Sequence, residues 1–104
     1  MTFAQLDAVV ARLAAWLLDQ AGGQGERVAS WSAKTRLACL MPLAAARAGL
    51  IHVPVNPLLK AEQVAHILAD CDARVLVTSA ERLRQLAGAL ARCPGLRTVI
   101  VVGA

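Results

Sequence analysis

The sequence is poor in aromatic residues, with two tryptophans, one phenylalanine and no tyrosine. Proteins that bind single-stranded nucleic acid stack bases on aromatic side chains beside a clustered basic surface. Here the 11 lysines and arginines are scattered along the chain, and several stand next to an acid. A nucleic-acid-binding domain is therefore the weakest functional hypothesis, despite a net charge of +4, and we expect no nucleic-acid partner.

Cysteine is also scarce, and Cys39, Cys71 and Cys93 form no C-x-x-C pair. An odd number of widely spaced cysteines argues against a zinc site and against a disulfide framework. We expect three buried, reduced thiols.

Long uncharged apolar runs are missing, although 58% of the residues are hydrophobic. The most apolar window, residues 37–55, contains Arg47 and two prolines, whereas a spanning helix needs ~20 apolar residues with few charges. The first residues also lack the basic, apolar and small-residue order of a signal peptide. We therefore expect no membrane span and a cytoplasmic location.

Loops that could bind phosphate or Mg²⁺ are missing as well. The glycine-rich stretch Gly22–Gly25 follows a predicted helix and precedes a predicted strand, whereas a phosphate-binding loop must lead into a helix. No carboxylate stands at the carboxyl end of a predicted strand, where it could hold Mg²⁺. We interpret Gly22–Gly25 as a turn.

Isolated histidines and serines leave chemical hypotheses open. His52 and His66 could act as bases or metal ligands, but no carboxylate or cysteine shares their local spacing, which favours packed or surface histidines. Ser79 could be a nucleophile, but without a base partner a helix-capping role is favoured. The sequence thus predicts no catalytic, cofactor-binding or metal-binding residue.

The sequence does contain a regular alternation of apolar strands and amphipathic helices. Four strand candidates begin near residues 27, 51, 74 and 98, and a helical pattern fills each gap. This order is typical of βαβ units. It predicts an α/β fold with a four-stranded, mostly parallel sheet and helices on both faces.

Two predicted helices begin with the spacing of a capping box. In this motif the residue before the helix and the residue three positions later each accept a hydrogen bond from the other's backbone N–H. One is Thr2 with Gln5, before a helix that reaches about Gln20. The other is Thr78 with Glu81, before a helix whose apolar stripe extends to residue 90.

Pro42 is out of place in the helix predicted over Lys34–Ala48. A proline in a helix interior loses the hydrogen bond to the carbonyl four residues earlier, here that of Ala38. The pattern predicts a kink or break between Ala38 and Pro42, or a helix that begins so late that Pro42 lies in its first turn.

Pro54, Asn56 and Pro57 lie between the second strand and the third helix. Pro54 should end the sheet ladder, Asn56 tolerates turn geometry and Pro57 stiffens the exit. We interpret the three residues as a structural corner without chemistry of its own.

Several segments in order resemble the N-terminal part of AMP-forming acyl-CoA synthetases, the adenylate-forming ligase superfamily. The matching segments are Thr2–Leu6, Arg12–Ala14, Gly25–Ala29, Ala48–Gly49, Val53–Pro57 and Ala73–Thr78. The stretch Leu58–Arg82 looks most like the acyl-CoA ligases associated with exosortase A systems. Lys60 departs from the pattern, because the family often has a serine or threonine cap there.

The resemblance implies a parent enzyme that uses ATP and Mg²⁺ to activate a carboxylic acid, such as a fatty acid, as acyl-AMP and then transfers the acyl group to CoA. The family's phosphate loop and its adenylating lysine do not occur in residues 1–104. We therefore expect residues 1–104 to be a single N-terminal subdomain fragment that is inactive alone, binds no cofactor and partners the remainder of the ligase. Isolated, it should self-associate through apolar surface. The alternative is a stand-alone flavodoxin-like module that binds a partner protein without catalysis.

Overall fold

The protein is built around one parallel β-sheet. The computed structural model describes residues 2–32 and 36–102, except the side chains of residues 36–38 and 102. In chain order the elements are α1 (Phe3–Ala21), β1 (Arg27–Trp31), α2 (Arg36–Ala48), β2 (Ile51–Pro54), α3 (Ala61–Asp70), β3 (Val75–Ser79), α4 (Ala80–Leu86), a 3₁₀ turn (Leu90–Arg92) and β4 (Thr98–Val102).

The four strands lie in the order β2-β1-β3-β4, and every neighbouring pair is parallel. The predicted α/β fold is therefore confirmed. The two central strands, β1 and β3, are the ones with almost wholly buried sequences, as expected for strands covered on both faces. The edges of the sheet are β2 and β4.

Helices α1 and α2 pack on one face of the sheet. Because side chains alternate along a strand, Val28 of β1 and Val75 and Val77 of β3 face these helices together. Leu17 of α1 and Met41 of α2 meet them and are fully buried.

Helices α3 and α4 pack on the opposite face. Trp31 at the end of β1 and Leu76 of β3 meet Leu68 of α3 and Leu86 of α4 in a second core. Trp31 is the largest of the fully buried side chains, with 1% of its surface exposed.

The start of α1 matches its predicted capping box. The Gln5 backbone N–H donates to Thr2 Oγ1 at 3.1 Å, and the Thr2 N–H donates to Gln5 Oε1 at 2.8 Å. Gly22 ends the helix with a left-handed φ of 89° and donates its N–H to the Leu18 carbonyl. The predicted turn at Gly22–Gly25 is therefore confirmed.

Pro42 lies inside a helix that continues without interruption. Helix α2 runs over Arg36–Ala48, so the predicted break between Ala38 and Pro42 is wrong, and Pro42 is also beyond the first turn. Packing of Met41, Ala44 and Ala45 against the sheet core holds the helix together despite the lost hydrogen bond. A bend at Pro42 stays a prediction, and the predicted start at Lys34 lies outside the described residues.

Helix α4 begins one residue later than predicted and ends earlier. Ser79, not Thr78, is its N-cap, and Ser79 Oγ accepts from the Arg82 N–H at 3.3 Å. Thr78 is still part of β3, and its hydroxyl donates to the Trp31 carbonyl of β1 at 2.6 Å, which directs the side chain towards that strand. The helix stops at Leu86, and the stripe beyond it forms the 3₁₀ turn at Leu90–Arg92.

Candidate functional site

The carboxyl edge of the sheet is where ligands bind in open α/β folds. In this chain it is formed by the ends of the four strands and by the segments that follow them. The corner after β2, the end of β1 and the start of α4 all lie at this edge.

The corner after β2 is built by backbone geometry. Pro54 is the last residue of β2 and pairs with Ser30, but the Val55 N–H still donates to the Ser30 carbonyl at 2.8 Å. This bond belongs to the Ser30–Pro54 pair, which is the last of the ladder, so the prediction that Pro54 ends the ladder is confirmed. Alternate residues of β2 donate to β1, so the missing N–H of Pro54 falls on the open edge, where it costs no hydrogen bond.

Asn56 and Pro57 turn the chain towards α3. Asn56 Oδ1 accepts from the Leu58 N–H at 2.9 Å, and the Asn56 carbonyl accepts from the Leu59 N–H at 3.1 Å. Both Asn56 and Pro57 are exposed. At the helix start, Lys60 has no side-chain acceptor, so only Gln63 Oε1 satisfies a backbone donor there, the Lys60 N–H at 3.0 Å.

At the end of β1, Trp31 and Arg82 form what we call the Trp31 cluster, and Ser32 follows Trp31 along the chain. Arg82, in the first turn of α4, places its guanidinium carbon 5.3 Å from the centre of the Trp31 ring. Trp31 Nε1, Ser32 Oγ and Arg82 Nη1 are all buried, and within the described residues none of them has a hydrogen-bond partner. No local sequence pattern predicts this contact between Trp31 and Arg82, which are 51 positions apart. A lone tryptophan at a strand end, with a polar indole N–H, was the available signal.

Ser30 and His52 meet on the α1–α2 face of the sheet. Ser30 Oγ lies 2.9 Å from His52 Nε2, and the pair bridges β1 and β2. Burial lowers the pKa of His52 below its ordinary value. His52 is half-buried and His66 is exposed on α3, as expected for packed and surface histidines. A serine hydrogen-bonded to a histidine resembles part of a catalytic triad, but within the described residues no carboxylate bonds to this histidine.

The three cysteines differ in burial. Cys93 is buried, Cys71 is half-buried and Cys39 is exposed, so the expectation of three buried thiols is wrong for two of them. Cys39 is exposed because it lies on the solvent side of α2, away from the packed Met41. Burial raises the pKa of both the Cys71 and the Cys93 thiols, which makes these two poor nucleophiles.

Basic side chains at the amino end of the sheet are paired with acids. Arg74 contacts Glu26 at 3.0 Å and Asp72 at 3.4 Å, and Arg27 contacts Asp72 at 3.8 Å. Hydrogen bonding to Glu26 raises the pKa of Arg74. This pairing neutralises the local positive charge of Arg27 and Arg74, which weakens the case for a phosphate-binding face.

The residues present do not fit ATP or Mg²⁺. Gly22–Gly25 lies between α1 and β1, so its N–H groups do not open a helix. In the described ranges, no three side chains among His, Cys, Asp and Glu are grouped as a metal site requires. No helix in those ranges combines the length and apolarity that a bilayer crossing requires.

Comparison with known proteins gives consistent matches. The family model for AMP-binding enzymes matches residues 1–104. An acetyl-coenzyme A synthetase of Novosphingobium aromaticivorans is 35% identical over 98% of this chain, which spans 17% of that protein. An L-proline–[L-prolyl-carrier protein] ligase of Pseudomonas fluorescens is 31% identical over 85% of this chain, which spans 18% of it.

Solved structures agree with the sequence matches. A fatty acyl CoA synthetase of Mycobacterium tuberculosis superposes with a TM-score of 0.85 at 27% identity, over 98% of this chain and 21% of that one. The anthranilate CoA ligase AuaEII, in complex with anthranoyl-AMP, superposes with a TM-score of 0.86 at 30% identity, over 99% of this chain and 20% of that one. The chain thus spans about a fifth of these relatives, and its fold matches the N-terminal part of acyl-CoA ligase structures. The chain belongs to the AMP-binding enzyme family.

Proposed function

We propose that this chain serves as the N-terminal α/β part of an AMP-forming acid:CoA ligase. The observation that carries the proposal is the match of the AMP-binding family over the whole chain, with close superposition on acyl-CoA ligases five times its length. In this reading the whole enzyme activates a carboxylic acid, such as a fatty acid, as acyl-AMP and transfers the acyl group to CoA, in the cytoplasm. ATP, Mg²⁺ and CoA would bind outside residues 1–104.

The contribution of this chain to that activity is structural. Its residues form a single subdomain, and Pro54, Asn56 and Pro57 direct the chain from the sheet into α3. None of its residues acts as a catalytic, cofactor-binding or metal-binding group in this proposal. Its partner is the remainder of the ligase, which would cover the apolar side chains that it exposes, such as Phe3 and Leu43.

The first test is pyrophosphate exchange. The purified chain, supplied with ATP, Mg²⁺ and carboxylic acids of increasing length, should give no exchange above background, because it lacks the phosphate loop and the adenylating lysine. A full-length acyl-CoA ligase run beside it shows that the assay works. Exchange by the chain alone would overturn the proposal that its role is structural.

The second test distinguishes the ligase from a stand-alone interaction module. The open reading frame is sequenced beyond the codon for Ala104. A downstream Thr-Ser-Gly-Thr-Thr-Gly-like loop supports the ligase. A stop codon directly after Ala104 favours the interaction module, since a separate ligase remainder would then have to be supplied by another gene.

A further inference from the structure

The two edges of the sheet differ in the backbone groups that they offer to a neighbour. In the described part of the chain, β2 and β4 each pair with one strand only. The N–H groups of Ile51 and Val55 donate to β1, so the alternate residues His52 and Pro54 face the open side of β2. Pro54 has no N–H, which leaves this four-residue strand with a single outward donor. Proline on an edge strand is a known protection against pairing with another chain.

The β4 edge carries no such protection. The strand has the sequence TVIVV, without a charged residue, a proline or a glycine. Its first residue, Thr98, donates to the Arg74 carbonyl at 3.2 Å as β4 joins β3. Because alternate residues of a strand face the same neighbour, Val99 and Val101 turn their N–H and carbonyl groups to the open side. Val101 is 47% exposed, so the helices leave this side of the strand accessible.

A second copy of β4 complements this edge. When two copies run antiparallel about a two-fold axis at Ile100, Val99 of each copy lies opposite Val101 of the other. Opposed residues of this kind exchange two hydrogen bonds, so the outward N–H groups of both strands all find an acceptor. The facing side chains are valine with valine and isoleucine with isoleucine, β-branched pairs that suit a sheet. No like charges are brought together along the strand.

We propose that β4 is a homodimer interface, at which two copies of this chain join their sheets into one through antiparallel β4 strands. Pro54 prevents the same pairing at the β2 edge, so the assembly closes at two copies instead of growing into a fibre. A contact made by one short strand lies below the ~1,200 Å² of a stable interface. The dimer should therefore dissociate on dilution through the micromolar range. This interface is independent of the ligase role proposed above.

Cross-linking tests the register. In a Cys39→Ser background, which removes the exposed thiol, Ile100→Cys and Val101→Cys are compared under oxidised glutathione on a non-reducing gel. The two Ile100 Cα atoms would lie about 4.5 Å apart across the axis, within disulfide range. The two Val101 positions are diagonal, roughly 7–8 Å apart, at or beyond that range. We expect a covalent dimer from Ile100→Cys and little from Val101→Cys. Equal cross-linking of the two variants, or none, would overturn the proposal.

A second pair of variants separates backbone pairing from side-chain packing. Val101→Pro removes an outward N–H that β3 does not use, and by symmetry the dimer loses two hydrogen bonds. Its Kd should rise by about tenfold or more. Val101→Ala keeps the N–H and should dimerise far more tightly than Val101→Pro. Sedimentation velocity over a dilution series measures both against the wild type, and circular dichroism checks the fold. A wild-type monomer at every concentration, species larger than a dimer, or equal effects of the two substitutions would contradict the assignment.

Discussion

The hydrogen bond between Ser30 and His52 ties the edge strand β2 to the centre of the sheet. It lies on the face covered by α1 and α2, at 2.9 Å between Ser30 Oγ and His52 Nε2. Burial disfavours the charged imidazole and lowers the pKa of His52. The folded protein therefore holds this histidine neutral over a pH range in which an unfolded chain would protonate it.

Stability should fall as pH falls below about 6.5, the ordinary pKa of histidine. In that range the unfolded state binds more protons than the folded state, so the free energy of unfolding decreases with acidification. Urea denaturation at several pH values measures the slope. His52→Gln should flatten it, whereas His66→Gln, at an exposed site, should leave it in place. An unchanged slope in the His52 variant would contradict the assignment of this pH dependence to His52.

Among the elements, helix α2 tolerates a proline that breaks its hydrogen-bond ladder. Pro42 lies in the interior of Arg36–Ala48 and is exposed, while its neighbour Met41 is fully buried. The packing of one face therefore outweighs the local cost of the proline, which is ~3 kcal/mol in a regular helix.

Pro42→Ala should raise the free energy of unfolding, by up to ~3 kcal/mol if the helix relaxes to regular geometry. Denaturant unfolding followed by circular dichroism is the measurement. Ala46→Gly, at another exposed position of α2, is the control. It should lower the free energy of unfolding by ~1 kcal/mol, the usual difference between alanine and glycine in a helix. A Pro42→Ala protein less stable than the wild type would mean that the packing needs a bend at this residue.

The N-caps of α3 and α4 offer a second pair of variants. Lys60 has extended backbone geometry suited to a cap, with φ −84° and ψ 159°, but no side-chain acceptor. Lys60→Ser should therefore add ~1 kcal/mol, and Ser79→Ala should remove about as much from α4. Thermal unfolding compares both with the wild type. Equal Tm values for Lys60→Ser and the wild type would contradict this prediction. They would show that a side-chain cap adds nothing to the hydrogen bond that Gln63 already makes at this helix start.

Sequence reasoning succeeded for elements whose signal is local. β1 and β4 begin at the predicted positions, near residues 27 and 98, because the alternation of helices and strands along the chain marks both starts. The capping role favoured for Ser79 is confirmed, whereas the capping box at Thr78 and Glu81 is wrong because the Thr78 side chain bonds to the Trp31 carbonyl, 47 residues away. The Trp31 cluster and the Ser30–His52 pair were missed for the same reason. Both depend on which strands are neighbours, and no local pattern encodes the strand order.

At the scale of the whole molecule, the sheet has two open edges and an apolar surface. β4 is an edge strand of β-branched residues, and Val101 is 47% exposed on it. Phe3 is 93% exposed and Leu58 is 88% exposed elsewhere on the molecule. Unpaired backbone groups on an apolar edge strand are a template for association.

The isolated chain should self-associate at micromolar concentration, which sedimentation velocity measures. Val101→Lys places a charge on the β4 edge and should shift the protein towards monomer. Leu58→Lys adds the same charge to the corner after β2 and should leave the association in place. A monomeric wild-type chain that binds no apolar dye would contradict this prediction and favour the stand-alone module.

The central claim, that this chain is the N-terminal α/β part of an adenylate-forming ligase, is tested most directly by a graft. In the anthranilate CoA ligase AuaEII, the segment that superposes on this chain is replaced by residues 1–104. Anthranilate-dependent pyrophosphate exchange is then measured, with a deletion of the same segment as the control. We predict exchange well above that of the deletion. A folded graft with no more exchange than the deletion would contradict the claim.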